Sequence, residues 1–149
     1  IQNTFLNGEN VENEIRGENI SILVSKYSSI PLVRKYLVSL QKELGKEKKI
    51  VVEGRDITTV VFPDAEIKIF MTADIETRAK RRFEEIKTNN PETTFSDVLN
   101  NLKERDTKDS NRLDSPLRVA EESEIIDTTH LEIEEQVKKI TNLIENKFS

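Results

Sequence analysis

The chain has 149 residues, enough for one core of ordinary size, and contains no cysteine, which excludes a disulfide framework or a thiolate metal site and suits a reducing cytosol. No stretch approaches the roughly 18 consecutive apolar residues of a membrane span. A net charge of −5 argues against a protein that coats nucleic acid, but leaves room for a small phosphorylated ligand held by a local arginine cluster.

The sequence opens on Ile1 rather than methionine, within what reads as a strand, so a piece of a longer protein is expected. Ile1 to Asn10 predicts a short hairpin, with Phe5 and Leu6 leading into the turn Asn7-Gly8-Glu9-Asn10. Glu12 to Gly17 is a polar connection. Ile20, Leu23 and Val24 have helical spacing and predict a short helix that stops before Pro31. Pro31 suits the first turn of a second helix, where its missing N–H costs nothing. That helix carries Val33, Tyr36, Leu37, Leu40 and Leu44 on one face and stops at Gly45.

The middle of the chain changes character. Lys49 to Gly54 is a β-branched run ending in glycine, as expected of a buried parallel strand, and Ile67 to Met71 is a second. Asp74 caps a helix whose buried stripe is Ile75, Ala79, Phe83 and Ile86. Thr88 to Thr94 is a polar tip containing Pro91, and Phe95, Val98, Leu99 and Leu102 mark another helix. Glu124 to Asp127 predicts a brief third strand, and Ile133 to Ile144 a closing amphipathic helix. Strands alternating with helices predict an α/β layer fold with a parallel sheet.

Three clusters could carry chemistry. Arg55 and Asp56 follow the end of an expected buried strand, where ligands of open α/β sheets bind. Arginine offers a planar fork for phosphate, and aspartate can accept from an exocyclic amine. The plainer reading has these two pair with each other or cap the next turn. Next, the apolar stripe Val98, Leu102 continues as Arg105, Asp109 and Arg112, so one helix face turns from hydrocarbon to charge. Those charges either face solvent or line a polar cleft. Third, Arg78, Arg81 and Arg82 lead into the polar tip and either clamp a polyphosphate or form a solvated face beside Glu84 and Glu85. His130 is the lone histidine and reads as a surface loop residue, with no second histidine or cysteine to complete a zinc site. The glycines, at 8, 17, 45 and 54, include no pair spaced for the phosphate loop G-x-x-x-x-G-K-[ST].

Taken in order, several segments resemble bacterial cytidylate kinase. They are Gly54-Arg55-Asp56-Ile57, Thr59-Val60-Val61-Phe62-Pro63-Asp64-Ala65, Lys68-Ile69-Phe70, Arg78-Ala79-x-Arg81-Arg82 and Lys103-Glu104-Arg105-Asp106. Asp109-Ser110-Asn111-Arg112, Pro116-Leu117 and Ile126-Asp127-Thr128-Thr129 continue the match. Upstream, Gly8-x-x-Val11-x-x-Glu14-Ile15-Arg16 and Pro31-x-Val33-Arg34 fit as well. The resemblance runs through nearly the whole chain, and the Gly-Arg-Asp to Pro-Asp-Ala block is its most specific part.

The resemblance implies the P-loop nucleoside monophosphate kinase fold, an α/β three-layer arrangement with a parallel sheet core plus nucleotide-binding and lid regions. This chain would be its C-terminal two-thirds, without the N-terminal phosphate loop and inactive alone. Residues 1–45 would be the CMP-binding region with a family insertion, and 46–77 the core strands and Gly-Arg-Asp site. Residues 78–94 would be the lid, and 95–149 the closing helices and strand. The family transfers the γ-phosphoryl group of ATP to CMP or dCMP with Mg²⁺, giving CDP or dCDP; a cytoplasmic monomer without nucleic-acid or membrane partners is expected.

By position, the resemblance implies that Arg34 and Asp56 contact the cytosine ring and that Arg112 reaches base and phosphate. Arg105 and Asp109 would hold the pentose, Arg55 the acceptor phosphate, and Ser25 would line the pyrimidine pocket. Arg81 and Arg82 would be catalytic, stabilising the transferring phosphoryl, with Arg78 a further ATP contact in the lid. Thr58 departs from the family's Gly-Arg-Asp-Ile-Gly-Thr and is expected to tighten that turn. A non-catalytic nucleotide-binding fragment or degenerate paralogue is the alternative reading, and a kinase for UMP or another monophosphate a third.

Overall fold

The structure, a computed structural model, describes residues 3–16, 18–28, 30–47, 49–88 and 90–149. Two compact units, Ile1–Lys49 and Ile50–Ser149, stand where the length suggests one core. The boundary falls in the charged run Lys46 to Lys49, which has no apolar side chain to bury.

The first unit begins with an antiparallel hairpin, β1 (Phe5–Leu6) and β2 (Glu9–Asn10), in which Leu6 pairs with Glu9. The turn is therefore Asn7-Gly8 alone, and Glu9 and Asn10 belong to the returning strand. Both turn residues have positive φ, 52° and 89°, the backbone that a two-residue hairpin loop needs and that Asn-Gly supplies at little steric cost. A 3₁₀ turn (Glu14–Arg16) leads to helices α1 (Glu18–Ser28) and α2 (Pro31–Leu44). Pro31 stands in the first turn of α2 and the N–H of Gly45 closes its end on the Gln41 carbonyl. None of the α2 residues is buried, and the residues of its expected apolar face range from 37% exposed at Val33 to 77% at Leu44.

The second unit is mixed α/β. Strands β3 (Ile69–Thr72) and β4 (Glu124–Asp127) pair in parallel, Ile69 with Glu124 through Thr72 with Asp127. Helices α3 (Ile75–Lys87) and α4 (Phe95–Asn111) make the crossover between them and pack against each other, and α5 (Ile133–Phe148) closes the chain. Both crossover helices are capped as their sequences direct. The Asp74 carboxylate accepts from Thr77 N at 2.7 Å, and Thr94 forms a reciprocal capping box with Asp97. The most buried apolar side chains are Ile57, Val61, Ala73, Ala79, Val98 and Ile126, a core that runs from the sheet end to the crossover helices.

One expected strand does not form. The run Lys49 to Gly54 takes no regular structure and lies outside either sheet, and Val51 is 98% exposed. A strand needs a neighbour to take its N–H and C=O groups, and no described strand pairs with this run. The expected parallel sheet core is thus, among the described residues, a two-stranded ladder. The expected strand Ile67 to Met71 is displaced to Ile69–Thr72 because the ladder with Glu124–Asp127 sets its limits.

After Asp56 the chain makes a single π-helical turn, Ile57–Val61. The Asp56 carbonyl accepts from Val60 N at 2.9 Å and Val61 N at 3.3 Å, and Phe62 N returns to Ile57 O at 2.7 Å. Thr58 lies inside this turn with negative φ, so the backbone there does not require glycine. Gly54 is constrained differently: a Cβ at this position would stand 2.8 Å from Cγ1 of the buried Ile57. No helix among the described residues is long and apolar enough to cross a membrane.

Gly54→Ala is expected to lower unfolding stability by about 1–3 kcal/mol, because Ile57 must leave its buried seat. Urea denaturation measures this, and an unchanged midpoint would show that Ile57 yields freely. A second prediction concerns pH. The Asp74 carboxyl is held below its ordinary value of 3.8, first by the Thr77 hydroxyl and then by the Thr77 N–H. Its folded pKa is depressed, so its stabilisation is complete above the ordinary value and is lost as pH falls through the lowered one. The fall in urea midpoint below about pH 4 should be shallower in Asp74→Asn than in the native protein.

Candidate functional site

The site begins where α4 runs out of apolar residues. Val98 is buried and Leu102 half-buried, and one and two turns further on the same face present Arg105 and Asp109. Asp109 is buried, its side chain 11% exposed, and three guanidinium groups surround it. Arg55 Nε stands 3.2 Å and Arg105 Nε 3.9 Å from Oδ2, while Arg112 Nη1 is 3.7 Å from Oδ1. Oδ2 is buried and accepts no hydrogen bond among the described residues, so these pairs are held by charge rather than by aligned donors.

Local backbone explains why the four groups meet. Arg55 precedes the π turn that begins after Asp56, and that turn is anchored by buried Ile57 and Val61. Arg112 ends α4 with extended backbone, and its Nε donates to the Ser115 carbonyl. Leu117 N donates to the Asp109 carbonyl at 2.8 Å, folding the 112–117 loop back on the helix end.

Among these four groups three positive charges face one negative charge, an excess of two. Arg105 registers the crowding. Burial, and then the neighbouring Arg55 guanidinium, hold its pKa below the usual arginine value, with Asp109 opposing and Arg82 adding to the depression. Such a group stays protonated at neutral pH, so like charges are crowded around Asp109. A bound anion would relieve that crowding.

Asp56 lies beside Arg55 and is buried, with its side chain making no capping hydrogen bond to the π turn. Arg55 pairs with Asp109 instead of its sequence neighbour. Neither plain reading of Arg55-Asp56, mutual pairing or simple capping, describes the geometry. The charges on α4 are likewise not a solvated stripe, since Asp109 is buried and the Arg112 side chain is only 15% exposed.

The arginines of α3 have separate surroundings. Arg81 donates from Nη2 to Thr128 O at 2.7 Å and from Nη1 to Thr128 Oγ1 at 3.2 Å, clasping the chain just past β4. The Thr128 hydroxyl passes a hydrogen bond to Thr72 O, so this clasp joins the carboxyl ends of both strands. Arg78 donates from Nε to Ala73 O at 3.0 Å and pairs through Nη1 with Asp106 at 2.8 Å. Arg82 pairs with Glu85 at 3.0 Å and lies within electrostatic reach of Arg105. Arg34 is on α2, half-buried, in the first unit. Ser25 is on α1, and its side chain lies outside the described part of the structure.

The structure thus brings together Arg55, Arg105, Asp109 and Arg112, with Asp56 adjoining and Arg82 nearby. Sequence reasoning passed over Asp106 and Thr128, the partners of two α3 arginines. A signal for Asp106 existed: Arg78 and Asp106 stand at similar distances from the tip near Pro91, where antiparallel helices of a hairpin come into register.

Asp109→Ala should lower stability by about 1–3 kcal/mol, less than for a fully buried pair because Arg55 and Arg105 are each more than a third exposed. Inorganic phosphate should restore part of the loss by neutralising the stranded guanidinium groups. Urea unfolding with and without phosphate measures both effects. Wild-type stability in phosphate-free buffer would show that the arginines need no internal counter-ion.

Comparison with known proteins shows the family. The family model for cytidylate kinase matches residues 1–146. A cytidylate kinase of Thermosipho melanesiensis is 48% identical over 145 residues, covering 97% of this chain and 67% of that protein. One from Bacteroides fragilis is 51% identical over 134 residues, covering 90% of this chain and 58% of its own length. One from Flavobacterium johnsoniae is 49% identical over 140 residues, 94% of this chain and 61% of the relative. The chain spans between 58% and 67% of the length of these three relatives. With the match running almost from end to end, the chain belongs to the cytidylate kinase family.

Proposed function

We propose that this chain forms the acceptor-nucleotide side of an enzyme that transfers the γ-phosphoryl group of ATP to CMP or dCMP, giving CDP or dCDP. The supporting observation is the convergence of Arg55, Arg105 and Arg112 on one buried carboxylate, with two positive charges in excess. A nucleoside monophosphate brings a phosphate for the guanidinium forks and sugar hydroxyls for the Asp109 carboxylate, whose buried Oδ2 accepts no hydrogen bond among the described residues. In this reading Arg55 takes the acceptor phosphate, Arg105 and Asp109 the pentose, and Arg112 phosphate and base.

Asp56 supplies base selection. A buried carboxylate only accepts hydrogen bonds, so it welcomes the exocyclic amine of cytosine and repels the carbonyl that uracil presents there. The family resemblance alone assigns Arg34 and Ser25 to the pyrimidine as well.

Phosphoryl transfer asks chiefly for alignment and charge neutralisation. Arg82 is available at the lid, segment 78–94, for the transferring group. Arg81 reaches it after leaving Thr128 and Leu131, whereas Arg78 stays held by Ala73 and Asp106. The glycine spacing for an ATP phosphate cradle is not in these 149 residues, so transfer is assigned to the intact gene product, with the P-loop kinase fold its framework. Among the described residues no group of three or more His, Cys, Asp or Glu could hold a metal. The roles given to the arginines do not depend on Mg²⁺.

In the intact gene product, Asp56→Ala should lower kcat/KM for CMP by about 1–3 kcal/mol, roughly 5- to 150-fold. Turnover of CMP, dCMP, UMP and AMP with ATP, side by side, measures the selectivity. UMP turned over as fast as CMP, or CMP kinetics untouched by the substitution, would overturn the cytosine assignment.

A further inference from the structure

Helix α4 carries the charged end of the site, and its position is fixed at two separated points on α3. Near the tip, Phe83 and Phe95 meet edge to face, ring centres 6.2 Å apart and planes at 89°. Phe95 opens α4, and Asp106 follows eleven residues on, about 16 Å along the axis at the usual rise. A helix pinned only at Phe95 could pivot there, and its far end would move most. Asp106 prevents this through its 2.8 Å pair with Arg78. Arg78 is itself fixed, because its Nε donates to Ala73 O directly past β3. The contacts form a continuous chain from the sheet end through Arg78 and Asp106 to α4.

We propose that Arg78 and Asp106 are a positioning pair that sets α4 at the height where Arg105 and Asp109 meet Arg55. The proposal rests on the nucleotide reading above and assigns Arg78 a different first duty, toward the acceptor rather than toward ATP. Three features support it. Asp106 is next to Arg105 and three residues before Asp109, so a shift of Asp106 moves both by nearly the same amount. The Arg55 to Asp109 contact, at 3.2 Å without hydrogen-bond alignment, has little reach to spare. The Arg78 and Asp106 side chains are 34% and 28% exposed, so their pair is shielded enough to hold geometry rather than merely decorate the surface.

The test uses the intact gene product, with calorimetric binding of CMP and steady-state KM for both nucleotides. Arg78→Gln and Asp106→Asn should each weaken CMP binding about tenfold, since small displacements of positioning groups are costly. KM for ATP should stay within about twofold. The double variant should lose no more than the worse single one, because both substitutions break one contact. A merely structural role would lower stability without separating the two nucleotides. A rise in KM for ATP with CMP binding intact in Arg78→Gln overturns the proposal, and so do single losses that multiply in the double variant. If a variant fails to fold, Arg78→Lys and Asp106→Glu keep the charges, alter the reach and carry the same comparison. Native protein that does not bind CMP strikes the nucleotide reading itself, and is recognised before any substitution is made.

Discussion

The second unit depends on a carboxylate that is outnumbered. Asp109 is buried among Arg55, Arg105 and Arg112, and its single charge is what permits three guanidinium groups to share a small volume without a ligand. Burying like charges together is expensive, and at Arg105 burial first and the Arg55 guanidinium second lower the pKa. Removing the carboxylate would leave three cations repelling one another. A second carboxylate at the same point would lower the excess from two to one. Asp109 is supplied by a helix whose inward face is hydrocarbon for its first turns and charged from Arg105 onward.

Holding that cluster requires a rigid frame, and the frame is the carboxyl edge of a very short sheet. Two four-residue strands alone would be marginal. Arg81 and Arg78 reinforce their ends by donating to Thr128 O and Ala73 O, so guanidinium groups act both as the site and as its braces. The two sets differ in partner. Arg81 meets the backbone at Thr128 and Leu131, and Arg78 meets Ala73 O and a carboxylate of its own, Asp106, whereas Arg55, Arg105 and Arg112 share the one carboxylate of Asp109.

Helix ends and the charged stripe were legible in the sequence because each is written in local residues. Asp74 and Asn7-Gly8 act within four positions of themselves, and the structure uses each as a cap or turn. The turn at residues 57–61 was not legible. Its π form follows from how buried Ile57 and Val61 seat after Asp56, and no propensity specifies it. The run Lys49 to Gly54 misled for a related reason. Its β-branched composition satisfies a strand's side-chain preference, but pairing is a property of the neighbour, which composition does not reveal. For the site, residue types and helical spacing marked Arg105, Asp109 and Arg112 as continuing a buried stripe. That Arg55 would join them from some fifty positions away was implied only by the family resemblance.

A net charge of −5 and an anionic ligand are compatible because screening acts over distance. At physiological salt the field of exposed surface acids decays within about 8 Å, whereas three partly buried guanidinium groups act on a phosphate at contact. The acidic surface contributes solubility and little else at the site. It does impose a constraint. Long-range attraction would not gather an anion, so affinity for one would come from alignment at short range. The position of α4, set by Phe83 against Phe95 at one end and Arg78 against Asp106 toward the other, therefore matters more than it would in a protein with a basic surface.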